Sequence, residues 1–124
     1  MRYTAVLLVT IVLLLGGCQV ETPVLRSAKV TQFEKGREVR SWSLTDAQLQ
    51  TVSDWLAERK SDWNPTPATF VPSLLVSGKD VNEDAYELDV LAEDIVLIGP
   101  KGEFMKRFPP EEIAALRKLL GAEP

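Results

Sequence analysis

Apolar and polar positions alternate in short runs from residue 28 onward, and the period of the alternation changes along the chain. Residues 28–33 and 38–42 alternate with a period of two around the polar, glycine-bearing run Glu34-Lys35-Gly36-Arg37. Two such runs joined by a short glycine turn predict a β-hairpin. Val30 with Gln32, and Thr31 with Phe33, mark the two faces of the first strand, and the pattern leaves open which face is buried. The period then lengthens. Leu49, Val52 and Leu56 lie three and four apart with Trp55 beside them, the stripe of a helix that packs on a core. Thr45 with Gln48 three residues later predicts reciprocal capping of its first turn, and Leu44 with Leu49 predicts a hydrophobic staple. Asp46 at the start and Arg59 and Lys60 at the end complement the helix dipole. Asn64-Pro65-Thr66-Pro67 forbids continuation.

A period of two returns in residues 69–77 and 85–91, with Phe70, Leu74 and Val76, and then Tyr86, Leu88 and Val90, on one side. Pro72 places the first of these at an edge or bulge. Residues 94–98 and 103–108 flank the turn Gly99-Pro100-Lys101-Gly102, and Ile95-Val96-Leu97-Ile98, apolar on both faces, predicts a central strand. A last helix is expected from Pro110, with Glu111 and Glu112 at its positive end, Ile113, Leu116 and Leu120 as its stripe and Gly121 as its stop. The order strand, Lys-Gly turn, strand, helix occurs at residues 30–56 and again at 95–120. This echo reads either as tandem ββα units or as the ordinary grammar of helix on sheet. The expected fold class is α+β: an antiparallel sheet of about five or six strands with two helices on one face.

Upstream, Arg2 precedes an almost unbroken apolar run, residues 5–15, too short to span a bilayer, which takes roughly 20 apolar residues. The run ends in Leu15-Gly16-Gly17-Cys18. A large aliphatic residue three before a cysteine, followed by small ones, resembles the lipobox of bacterial lipoproteins. The resemblance covers residues 1–18 and implies cleavage before Cys18, fatty acylation at that cysteine, and membrane attachment through it; two acyl chains suffice for stable anchoring. In proteins with this signal an Asp after the cysteine commonly means retention in the inner membrane; Gln19 stands here, so the implied site is the periplasmic face of the outer membrane. The organisation expected is a signal at 1–17, a lipid-anchored tether at 18–27 and a single domain at 28–124.

Composition narrows the function classes. Removing the signal leaves about a hundred residues, one domain with one modest core. Cys18 is the only cysteine, so the domain is held by packing without a disulfide. The net charge of −4 argues against nucleic acid as a partner, since phosphate binding relies on clustered Lys and Arg. With no histidine the chain cannot build Ser-His-Asp or Cys-His pairs or the usual histidine-bearing zinc sites, and no Ser is followed three residues later by Lys. Carboxylates could still form an acid/base couple as in glycosidases, but spacing does not show which of them meet in the fold, and the expected reading is non-catalytic and without a cofactor.

One stretch is strongly one-signed. Asp80, Glu83, Asp84, Glu87, Asp89, Glu93 and Asp94 follow one another with no Lys or Arg between them. Asp80, Asn82 and Asp84 have the spacing that opens a calcium loop, but Ala85 replaces its glycine and Leu91 its bidentate Glu, so no metal is expected. The plain reading is a polar turn followed by Glu87 and Asp89 on the wet face of a strand; the functional one is a negative surface for a basic protein. Trp55 reads as core and Trp42 as core or a sheet-face contact. Trp63 either packs over the helix end or anchors an interface. The candidate residues are thus Cys18 for lipid attachment and Trp63, Glu87 and Asp89 for a partner. The expected function is a tethered protein-binding module, such as an inhibitor or immunity-type lipoprotein; the alternative is a structural or assembly lipoprotein of an outer-membrane or cell-wall complex.

Overall fold

The computed structural model describes residues 19–122. The expected signal at 1–17 and Cys18, the residue expected to carry lipid, lie outside the described residues. The elements in chain order are β1 (Leu25–Glu34), β2 (Arg37–Ser43), α1 (Asp46–Ala57), β3 (Asn64–Pro65), β4 (Leu74–Asp80), β5 (Ala85–Val90), β6 (Asp94–Gly99), β7 (Gly102–Arg107) and α2 (Pro110–Leu119). The strands form one antiparallel sheet in the order β2-β1-β4-β5-β6-β7-β3. The class is α+β as expected, with seven strands because the two-residue β3 adds to the edge of β7.

The local signals act as their chemistry requires. Lys35 and Gly36 both take positive φ, 51° and 76°, between the paired residues Glu34 and Arg37, the handedness a two-residue hairpin turn needs. The second hairpin turns on Pro100-Lys101, between paired Gly99 and Gly102, so the two Lys-Gly dipeptides occupy different turn positions. At the start of α1 the Thr45 hydroxyl accepts the Gln48 N–H at 3.2 Å and the Gln48 side chain accepts the Thr45 N–H at 2.9 Å. α2 begins on Pro109-Pro110 without a side-chain cap. It ends with Gly121 at φ 85°, its N–H on the Lys118 carbonyl and the Ala122 N–H on that of Arg117, which satisfies two carbonyls the helix leaves free.

Both helices lie on one face. The pairing register sets Trp42, Val30, Val76, Leu88, Leu97 and Phe104 in one row across the sheet, and these pack with Leu49, Val52, Leu56, Ile113 and Leu116 of the helices. Arg59 ties the helices together: it bonds Glu112 at 3.2 Å while its guanidinium lies 4.0 Å over the Trp55 ring. Trp55 and Trp63 both meet Phe108, at ring-centre distances of 5.4 and 5.9 Å.

Two expectations are corrected. The tether is part of the domain: Leu25–Ser27 belong to β1, Val20 and Pro23 are buried, and the Val20 N–H donates to the Lys60 carbonyl at 3.0 Å. Apolar Val20, Pro23 and Leu25 carry no period, so only the packed body reveals what they cover. The strand expected over 69–77 starts at Leu74, and β4 sits between β1 and β5 in the middle of the sheet. Pro72 stands before it, in a connection that runs from the outer edge of β7 to the sheet centre.

That connection, residues 66–73, must cross β7, β6 and β5. Thr66 donates to Glu103 and Ser73 to Val90, each at 3.0 Å. Four strand spacings and four residues along the strand separate those anchor points, about 23 Å in a flat sheet, and seven links of extended chain reach about 24 Å. Little slack remains for a detour around either end of the sheet. The helices fill one face, so the connection straps the other. Val96, which faces away from the helices opposite Asp89, is fully buried, as a strap over it requires.

Candidate functional site

The helix-free face is built by the alternate residues of each strand. One row runs Ser41, Thr31, Leu75, Asp89, Val96, Met105 and Asn64 across all seven strands, and the next contains Ser43, Lys29, Ser77, Glu87, Ile98 and Glu103. Three carboxylates therefore share the β5–β7 part of this face. Glu87 and Asp89 are two apart on β5, and Glu103 stands two strands away on β7, about 10 Å by strand spacing.

Their environments differ. Glu87 and Glu103 are half-exposed beside the strap, whereas Asp89 is only 6% exposed. The expected wet-face position of Asp89 is thus corrected: it has the predicted face, but the strap excludes water from it. Among the described residues its buried Oδ1 atom has no hydrogen-bond partner. Burial first, then the charge of Glu87 beside it and that of Glu103, pushes the Asp89 carboxyl up to about 7. Two like charges side by side on one strand disfavour the ionised form of the buried one, so Asp89 keeps its proton to higher pH than an exposed aspartate does.

Trp63 is placed elsewhere. It is fully buried on the helix side and its indole N–H donates to the Arg59 carbonyl at 2.6 Å. It packs over the end of α1 and presents no surface, so the interface-anchor reading of this residue is corrected. The sequence carried no periodic sign of this, because Trp63 follows the helix and its burial depends on Phe108.

The Asp80 turn is also self-contained. Asp80 is buried, and its Oδ1 accepts the N–H groups of Asn82 at 2.9 Å and Asp84 at 3.0 Å. Arg26 pairs with Glu83. The side chains spaced like calcium ligands thus cap their own backbone, and among the described residues no cluster of metal-ligating side chains is gathered.

Near this turn a hollow of about 120 Å³ is bounded by Val20, Glu21, Tyr86, Leu97, Lys101 and Phe104. Burial, then the charges of Asp80, Asp84 and Glu21, raise the Tyr86 phenol above its usual value, and the bond to Glu21 raises the Lys101 ammonium. The hollow is below the roughly 300 Å³ of ordinary small-molecule sites. A phenol held protonated beside an ion-paired lysine can position a polar group but is not an activated base. Among the described residues no helix is long and apolar enough to cross a membrane.

The acidic part of the helix-free face, half-open at Glu87 and Glu103 and closed over Asp89, is the arrangement best suited to receive something cationic. Compared with known proteins, the chain matches no family model, no curated protein and no solved structure, so this geometry is what a functional reading rests on.

Proposed function

We propose that the chain is a non-catalytic lipoprotein, attached through Cys18 to the periplasmic face of the outer membrane, that binds a basic protein on its helix-free face. The observation that carries the reading is the pair Glu87 and Glu103, half-exposed beside the strap on the face where Asp89 is buried. A lysine or arginine head lodged between Glu87 and Glu103 would bond both carboxylates in the half-open part of the face. Charge-assisted hydrogen bonds to carboxylates are also about twice as strong as neutral ones. Glu87 and Glu103 give the approach its direction, and electrostatic steering suits a partner met in solution.

The test is copurification from detergent-solubilised envelope of the native host, followed by affinity measurement with the partner obtained. Glu87→Gln with Glu103→Gln should weaken that affinity about tenfold or more and flatten its dependence on salt. An unchanged affinity with an unchanged salt slope would sink the reading. A secreted hydrolase or toxin as the partner would assign inhibition as the role, and a stoichiometric resident complex would assign assembly.

A further inference from the structure

We infer that the end of the domain carrying Val24 and Val81 rests directly on the lipid headgroups, so that the sheet stands upright on the bilayer with its acidic face turned sideways. The inference rests on the lipid attachment proposed at Cys18. Two peptide links separate Cys18 from Val20, a reach of about 7 Å at full extension. Val20 itself is buried and bonded to Lys60 at the end of α1, so the anchor has almost no leash. Whatever surface surrounds Val20 must then lie at the membrane.

That surface has a distinct character. Among the described residues the exposed large apolar side chains are Val24, Val39, Val71 and Val81, at 54%, 48%, 77% and 56% exposure. Val24 and Val81 are joined by a backbone hydrogen bond of 2.9 Å and share one shallow hollow with Thr22, Lys60 and Asn82. Val39 lies towards the β1–β2 turn and Val71 in the strap just before Ser73, both towards the opposite end of the sheet. Leu25 and Phe33, at the two ends of β1, are separated by eight residues of strand, roughly 27 Å.

Most charges at the anchored end are offset within the protein: Arg26 pairs with Glu83, Lys101 with Glu21, the Asp80 carboxyl accepts two backbone N–H groups, and exposed Asp84 and Lys60, of opposite sign, line the same hollow. Such an end meets zwitterionic headgroups without a strong repulsive field. Two half-exposed valines bury too little surface to hold a protein on a membrane alone. Beside a covalent anchor they need only set orientation, because the anchor makes the contact intramolecular. With the strand ends down, Glu87, two residues along β5 from Ala85, sits roughly 7 Å above that end and turns its half-exposed side chain sideways towards soluble partners.

The test uses the full-length protein purified from envelope with each of the four valines changed in turn, as Val24→Cys, Val81→Cys, Val39→Cys and Val71→Cys. Each labelled protein is reconstituted in vesicles of the zwitterionic lipids phosphatidylethanolamine and phosphatidylcholine, with intact mass recorded for every sample. Fluorophores at positions 24 and 81 should be quenched several-fold more by a headgroup-borne quencher than those at 39 and 71, and a protein beginning at Gln19, without leader or anchor, should leave the vesicles. Equal quenching at all four positions, in a protein whose mass includes fatty acid, would overturn the orientation and leave the anchor standing. A mature mass without fatty acid would overturn the anchor and this inference with it.

Discussion

The indole N–H of Trp63 donates to the Arg59 carbonyl at 2.6 Å, and this bond closes the C-terminal end of α1 with a side chain from the loop that follows. Arg59 is thereby held from both sides, since its guanidinium covers Trp55 and reaches Glu112 on α2. A single residue after the helix thus supports the contact between the two helices. Replacing it separates the polar part of its role from the apolar part. Trp63→Phe should lower stability by about 1–3 kcal/mol by leaving the carbonyl unsatisfied. Trp63→Ala should lower it by about 3–5 kcal/mol through the cavity opened against Phe108. Denaturant unfolding measures both, and a neutral Trp63→Ala would show that the residue is not in the core.

The Asp89 carboxyl makes stability depend on pH. Its folded value of about 7 lies above the 3.8 of an unperturbed aspartate, so between those values the folded state binds more protons than the unfolded one. Its contribution is fully present below about pH 4 and is lost as the pH rises through about 7. At about 1.4 kcal/mol per unit the loss is on the order of a few kcal/mol. Asp89→Asn keeps the shape and removes the titration, so its Tm should stay nearly level from about pH 5 to about pH 8 and exceed that of the parent at the upper end. A parent protein whose Tm rises over that interval would contradict the assigned environment.

Gly78 is required by close strand approach. A Cβ there would lie 2.1 Å from the Ser27 carbonyl oxygen and 2.9 Å from the Ala28 Cβ, where β4 pairs with β1. The obstructing oxygen belongs to the backbone and cannot rotate away. Gly78→Ala should cost about 1–3 kcal/mol by overpacking, measured by thermal or denaturant unfolding. No loss would mean that β1 is farther from β4 at this register than described.

Val20 tests whether the segment after Cys18 belongs to the folded body. Val20→Ala removes two buried methyl equivalents and should lower stability by about 1–2 kcal/mol in denaturant unfolding. A free tether would give no change.

Much of the architecture was legible locally because local geometry carries it. Thr45 and Gln48 cap each other across one helical turn, Lys35-Gly36 meets the handedness of a tight hairpin, and Gly121 takes the positive φ that ends α2. The acidic candidates were legible only as residue types. That Glu87 and Asp89 share the face away from the helices followed from their spacing, but Glu103 lies sixteen residues beyond Glu87 and joins them only through the β5-β6-β7 register.

Sequence by itself determined both helices, the two hairpins, the α+β class and the exclusion of histidine chemistry, because these follow from short-range periodicity, capping and composition. Tertiary structure alone decided that Val20 is part of the body, that Trp63 is core, and that the strap of residues 66–73 takes Asp89 out of water. Each of these is a burial, and burial depends on which distant segment lies over a residue. That relation arises from chain connectivity across the sheet and leaves no mark in the residues next to it.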